Sequence, residues 1–144
     1  MPEGSGTTDP PSWSKAPREV KIGEGVTALG DYVFFDCFGL SAVTLPQSLT
    51  AIGNSAFGSC IRLSSVVLHE GLRQIGDSCF TFDGALSNIT MPRSISGIGL
   101  DAFAYCGNLT SMVFRDKTAA EVSSMSNYHW GVAVSAITTW NDAS

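Results

Sequence analysis

Residues 43–65, VTLPQSLTAIGNSAFGSCIRLSS, decide the fold, because three more stretches of the same length repeat their pattern without a gap. Residues 20–42 read VKIGEGVTALGDYVFFDCFGLSA, residues 66–88 VVLHEGLRQIGDSCFTFDGALSN, and residues 89–111 ITMPRSISGIGLDAFAYCGNLTS. A fifth copy opens as MVFRD at 112–116 and then fades. Each unit begins with Val20, Val43, Val66, Ile89 or Met112, and two residues later places Ile22, Leu45, Leu68, Met91 or Phe114. Val26, Leu49, Leu72 and Ile95 follow, then Leu29, Ile52, Ile75 and Ile98, each of this last set before a glycine (Gly30, Gly53, Gly76, Gly99). An aromatic recurs as Phe34, Phe57, Phe80 and Phe103, and Leu40, Leu63, Leu86 and Leu109 close the units.

A unit of this size is too small to bury its own apolar face. Stacking the units turns each column into a ladder inside one continuous core, which is a solenoid. The V-x-L opening alternates with the period of a strand. Parallel pairing at about 4.8 Å per turn makes four turns a rod only about 20 Å long. The L-x-x-I-G piece is expected to turn the chain, its glycine supplying a backbone angle that a Cβ would forbid. Apolar residues three apart in A-F-x-x-C-x-x-L suit a short helical or 3₁₀ turn.

V-x-L-P followed by L-x-x-I-G-x-x-A-F-x-x-C-x-x-L at this period resembles the BspA-type leucine-rich repeat. The resemblance covers residues 20–114, about two-thirds of the chain, and residues 43–65 match nearly every position. Gly23 and Val33 in the first unit depart from it, as do His69, Cys79 and Asp83 in the third. The resemblance implies a right-handed leucine-rich-repeat solenoid of short parallel strands with 3₁₀ or short helical turns. On this reading about four and a half repeats occupy residues 20–116. It also suggests adhesion to host proteins or other cells, and it implies no chemistry at a fixed residue.

The ends read differently. Residues 1–19 carry Pro2, Pro10, Pro11 and Pro17 among Gly, Ser and Thr, which reads as an arm. In it Trp13 either covers the first turn or stands exposed. Residues 117–144 read as a C-terminal cap. Thr118-Ala119-Ala120-Glu121 is a capping box at a helix start, Val122 and Met125 share one face of that helix, and Ala136–Trp140 reads as a final strand. This segment resembles the closing segment of some bacterial and phage-associated surface proteins. The ending WNDAS has no breaker, so a longer parent protein is expected.

Composition narrows the function. The 144 residues include 13 acidic and 8 basic side chains, a net charge of -5, and only 15% are charged. Phosphate binding needs clustered Lys and Arg, so nucleic acid is a poor partner. No apolar run reaches the roughly 20 residues of a membrane span, and the opening MPEGSGTTDPPSW has no signal-peptide pattern. Cys37, Cys60 and Cys106 share one column, with Asp83 in it in the third unit. Stacked side chains point in parallel, so the cysteines read as small buried hydrophobes and not as disulfides or zinc ligands. His69-Glu70 reads as a solvated loop pair and His129 as part of the cap. Asp31, Asp77, Asp83 and Asp101 are expected to bond their own turns. Asn88-Ile89-Thr90 and Asn108-Leu109-Thr110 fit the glycosylation sequon because Asn and Thr flank a ladder residue. The absence of a phosphate loop, nucleophile elbow or metal motif predicts a protein that is not an enzyme and has no cofactor.

What remains is surface. The middle residues of V-x-L (Lys21, Thr44, Val67, Thr90, Val113) face away from the core and form a nearly uncharged strip, with both valines expected to be exposed. Phe35, Phe38, Phe82 and Tyr105, off the ladders, are further candidate contacts. The expected function is a non-catalytic protein-binding or adhesion module of a bacterial surface or secreted protein. The alternative is a structural subunit of a virion or other assembly, docked on neighbouring subunits through its arm and cap.

Overall fold

The computed structural model describes residues 18–140, so Trp13 and most of the N-terminal arm lie outside the described residues. Each repeat opens with a strand: β1 (Glu19–Lys21), β3 (Ala42–Thr44), β5 (Ser65–Val66), β7 (Asn88–Met91) and β9 (Ser111–Arg115). Each of the first four units adds a second, two-residue strand: β2 (Ala28–Leu29), β4 (Ala51–Ile52), β6 (Gln74–Ile75) and β8 (Gly97–Ile98). All pairings are parallel and join equivalent residues of successive turns, as in Val20↔Val43, Val43↔Val66 and Ile89↔Met112. The solenoid follows from that register. The second strand series corrects the expectation that L-x-x-I-G only turns the chain. Its stacked backbones are close enough to pair, giving one continuous sheet in the order β2-β4-β6-β8.

The core is the columns. Val43, Val66, Ile89 and Met112 are buried, as are Leu45, Leu68, Met91 and Phe114. The phenylalanines stack along the axis, with ring centroids at 5.3 Å for Phe34–Phe57, 5.4 Å for Phe57–Phe80 and 5.1 Å for Phe80–Phe103. These spacings are one turn's rise, close to the separation of paired strands. Val26 is 36% exposed, at the open first turn.

The glycine expectation needs correction. Positive φ is confined, among the described glycines, to Gly25, Gly71 and Gly131. The column glycines answer to crowding. A Cβ on Gly53, Gly76 or Gly99 would lie 2.7, 2.6 or 2.3 Å from the backbone nitrogen of Asp31, Asn54 or Asp77 in the preceding turn. Gly30, on the first turn, has nothing within 4 Å. The left-handed positions are instead Tyr32, Ser55, Ser78 and Asp101, and then Asp36, Ser59, Phe82 and Tyr105. They break the A-F-x-x-C-x-x-L piece into separate i-to-i+3 turns, such as Gly58 N–H to Ser55 O and Leu63 N–H to Cys60 O, with no helix between them.

After β9 comes α1 (Ala119–Ser123), opened by the expected capping box: Glu121 N–H donates to Thr118 Oγ1 and Thr118 N–H to Glu121 Oε1. Val122 is buried against the core and Met125 packs on it partly buried. Trp130 is 1% exposed and sits 5.5 Å from Phe114, and its carbonyl accepts from Phe103 N–H at 3.0 Å. It therefore covers the last turn of the core. A short 3₁₀ turn, Val134–Ala136, leads into β10 (Ile137–Trp140), which pairs with β9.

Candidate functional site

The outward row of the first strands forms as the alternation requires. Lys21 lies beside Thr44, and Thr90 beside Val113, on adjacent strands. Val67 follows β5 and is 61% exposed. Val113 is half-buried, not exposed as expected, because strands flank it on both sides. β10 adds Thr138 next to Val113, a member of the row that sequence reading missed. The strand reading of 136–140 contained the signal, since Thr138 follows Ile137 as Thr44 follows Val43. The row carries a single charged side chain, Lys21.

The aromatic candidates do not join this row; they lie in the turn segments. Phe82 and Tyr105 stack on each other, centroids 4.7 Å apart and 8° from parallel, and stay 51% and 72% exposed. Phe35 meets Tyr32 edge-on at 5.5 Å. It also leans over the next turn, so a Cβ on Gly58 would lie 3.0 Å from its ring. Phe35 packs there and still stays 44% exposed. Phe82 and Tyr105 hold left-handed positions that Asp36 and Ser59 fill in the first two turns.

Among the described residues the buried titratable side chains include Cys60, Cys79 and Asp83. All four thiols are free. Cys60 Sγ donates to Phe34 O at 3.2 Å and Cys106 Sγ to Phe80 O at 3.0 Å. Burial pushes the Cys37, Cys60 and Cys79 thiols up, and Cys106 up to about 12, so none is a ready thiolate nucleophile. Asp83 is fully buried. Its Oδ1 accepts from Cys60 N–H at 2.9 Å, while Oδ2 has no hydrogen-bond partner among the described residues. Desolvation raises its carboxyl to about 9, against the Cys60 hydrogen bond, which lowers it. Among the described residues no group of three or more His, Cys, Asp or Glu is placed to hold a metal ion.

Asp31 and Asp77 reach across turns, which corrects the expectation that they bond their own. Asp31 Oδ1 accepts from Asn54 N–H at 2.8 Å, Asn54 Oδ1 from Asp77 N–H at 2.8 Å, and Asp77 Oδ1 from Leu100 N–H at 2.9 Å. In a stack, the equivalent N–H one turn away lies within reach of each Asx side chain. Glu70 is turned to its neighbours in the same way. It accepts from Arg93 N–H at 3.2 Å and pairs with Arg115 Nη1 at 3.6 Å, which leaves no structural basis for a His69-Glu70 relay. His129 contacts Tyr128 edge-on at 5.6 Å. Among the described residues no helix is long and apolar enough to cross a membrane.

Comparison with known proteins bears on this geometry. The chain resembles the solved structure of a leucine rich cell surface protein from Faecalibacterium prausnitzii A2-165, at 26% identity and TM-score 0.68 over 89% of this chain and 33% of that one. It resembles the T. pallidum leucine rich repeat protein at 33% identity and TM-score 0.65 over 67% of this chain and 47% of that one. A leucine-rich repeat protein from Bacteroides ovatus matches at 26% identity and TM-score 0.59 over 68% of this chain and 33% of that one. The chain thus spans between a third and a half of the length of these structures. No curated protein sequence matches, and nothing in the three descriptions supports a virion component. A model of the BspA type leucine rich repeat region matches residues 13–129 in six copies. With stacked strands, glycine corners and phenylalanine ladder all in that register, the chain belongs to the BspA-type leucine-rich repeat family.

Proposed function

We propose that this chain is a non-catalytic protein-binding module of a bacterial surface or secreted protein, and that it meets its partner through the outer face of its first-strand series. The observation that carries this reading is the row Lys21, Thr44, Val67, Thr90, Val113 and Thr138, in which Lys21 is in register with Thr44 and Thr90 with Val113 and Thr138, and which is nearly free of charge. A rigid face of this kind offers main-chain-anchored contacts without the desolvation cost of charged groups. The cell-surface description of the F. prausnitzii protein supports the location. Within the module, residues 1–19 act as an arm, 20–116 as the solenoid and 117–144 as the cap. Phe82 and Tyr105 supply a secondary contact on the turn side.

Binding of the purified chain to a panel of extracellular-matrix and serum proteins tests this. The double variant Thr44→Lys, Thr90→Lys is expected to weaken a bound partner at least about tenfold by placing unpaired charge in the contact. Leu100→Lys, also at an exposed position but off the face, is expected to leave affinity unchanged. Undiminished binding by the double variant rejects the face.

A further inference from the structure

The two ends of the stack are finished differently. At the last turn Trp130 is 1% exposed, and its carbonyl accepts from Phe103 N–H at 3.0 Å. At the first turn Phe34 and Cys37 are only partly buried, whereas Phe57 and Cys60, one turn on, are fully buried. The first unit also carries larger apolar side chains at this end. Val33 stands where later units have Ala56, Cys79 and Ala102, and Phe35 where they have Gly58, Thr81 and Ala104. Val33 is 48% exposed and Phe35 44%.

A backbone ladder is open on the same side. In this segment N–H groups donate to the turn that follows: Asp36 to Gly58 O at 2.9 Å, Ser59 to Thr81 O at 2.8 Å and Phe82 to Ala104 O at 3.0 Å. Phe35 O is the equivalent acceptor of the first turn, and it accepts from no backbone N–H among the described residues. A buried edge of this kind calls for a donor one turn earlier.

We propose that this end is a docking surface for the chain's own arm, with residues 10–17 laid over the first turn and Trp13 seated against the rings of Phe35 and Phe38. The register is set where the arm enters the stack. Arg18 O accepts from Ser41 N–H at 2.8 Å and from Ala42 N–H at 3.1 Å, and Glu19 pairs with Ala42. Carried back one residue at a time, that register sets Pro17 opposite Leu40, Ser14 opposite Cys37 and Trp13 opposite Asp36, so Trp13 N–H is the donor that faces Phe35 O. Pro10 and Pro11 fall opposite Val33 and Phe34, where they bring apolar surface to an apolar end. Pro11 has no N–H for Val33 O, so the ladder stops at Trp13. The repeat pattern is itself matched from residue 13. Because Arg18 and Glu19 tether the arm to this edge, it reaches the surface at a high effective concentration that a second copy lacks.

Amide exchange and isotope-edited NMR on the full chain test this. The Trp13 amide is expected to exchange at least about tenfold slower than an unstructured amide. Nuclear Overhauser contacts are expected from the Trp13 ring to Phe35 and Phe38, unchanged on dilution. Trp13→Ser should speed exchange of the Phe34 and Asp36 amides at least about tenfold and leave that of Phe80, two turns away, unchanged; Trp13→Phe should restore most of the protection. An unprotected Trp13 amide overturns the proposal, as does equal exchange of Phe34 and Asp36 in Trp13→Ser and the parent. Contacts that vanish on dilution together with a dimeric mass also overturn it, and give the surface to a second copy. None of these readouts depends on the outer face binding a partner.

Discussion

Asp83 stands where Cys37, Cys60 and Cys106 stand in the other turns, so a carboxyl is stacked where this fold elsewhere puts a thiol. Fully buried and held by one hydrogen bond, it stays protonated until about pH 9, against 3.8 for an ordinary aspartate. The sign follows from linkage. Between those values the folded chain binds a proton that the unfolded chain has released, so stability falls as pH rises, by up to about 1.4 kcal/mol per unit. The thiols of Cys60, Cys79 and Cys106 keep their protons in the folded chain and begin to lose them in the unfolded chain only near their ordinary value of 9.0, so they add slope only at the top of this window. Asp83→Asn keeps the acceptor for Cys60 N–H and removes the titration. Urea unfolding from pH 4 to pH 9 should show the variant gaining on the parent steadily as pH rises. A parallel pair of profiles would mean that the carboxyl is already solvated.

At the scale of elements, the glycine corners show what a repeat pattern reveals and what it hides. Gly76→Ala would bring a Cβ to 2.6 Å from Asn54 N and from Asn54 Oδ1, whereas Gly30→Ala would meet nothing within 4 Å. The first is expected to cost about 1–3 kcal/mol, as overpacking does, and the second almost nothing. Equal chemical-denaturation midpoints for the two variants would return the column to a conformational explanation. The period, the strand openings, the core columns, the capping box and the candidate row were all legible in the sequence, because each is a pattern of residue types along one chain. The second strand series, the reach of Asp31 and Asp77 to the next turn, and the crowding at Gly53, Gly76 and Gly99 were not, because they arise only between turns. Among the described residues the first strands pair from β1 to β5 and from β7 to β10 but not between β5 and β7, and that break lies beyond sequence for the same reason. Val67 differs from Thr44 and Thr90, but no side-chain type announces a missing backbone bond.

At the scale of the whole molecule, a stack has no centre, only neighbours, and its stability is close to a sum over adjacent turns. Phe80 lies between Phe57 and Phe103, fully buried, so it serves two interfaces. Phe34 stacks on Phe57 and is only partly buried. Phe80→Ala should therefore cost about 3–5 kcal/mol, a large share of the roughly 5–15 kcal/mol that holds a domain together, and Phe34→Ala less than half as much. The same reasoning predicts how each variant unfolds. Losing Phe34 loosens the first turn and leaves the others cooperative, so Trp130 fluorescence in the last turn, read with Trp13 and Trp140 replaced by Phe, should report a midpoint close to the parent's. Losing Phe80 cuts the stack in the middle, and both the far-ultraviolet signal and Trp130 should shift to lower urea together. If Phe34→Ala moved the Trp130 transition as far as Phe80→Ala does, the turns would be acting as one indivisible core and the nearest-neighbour description would fail.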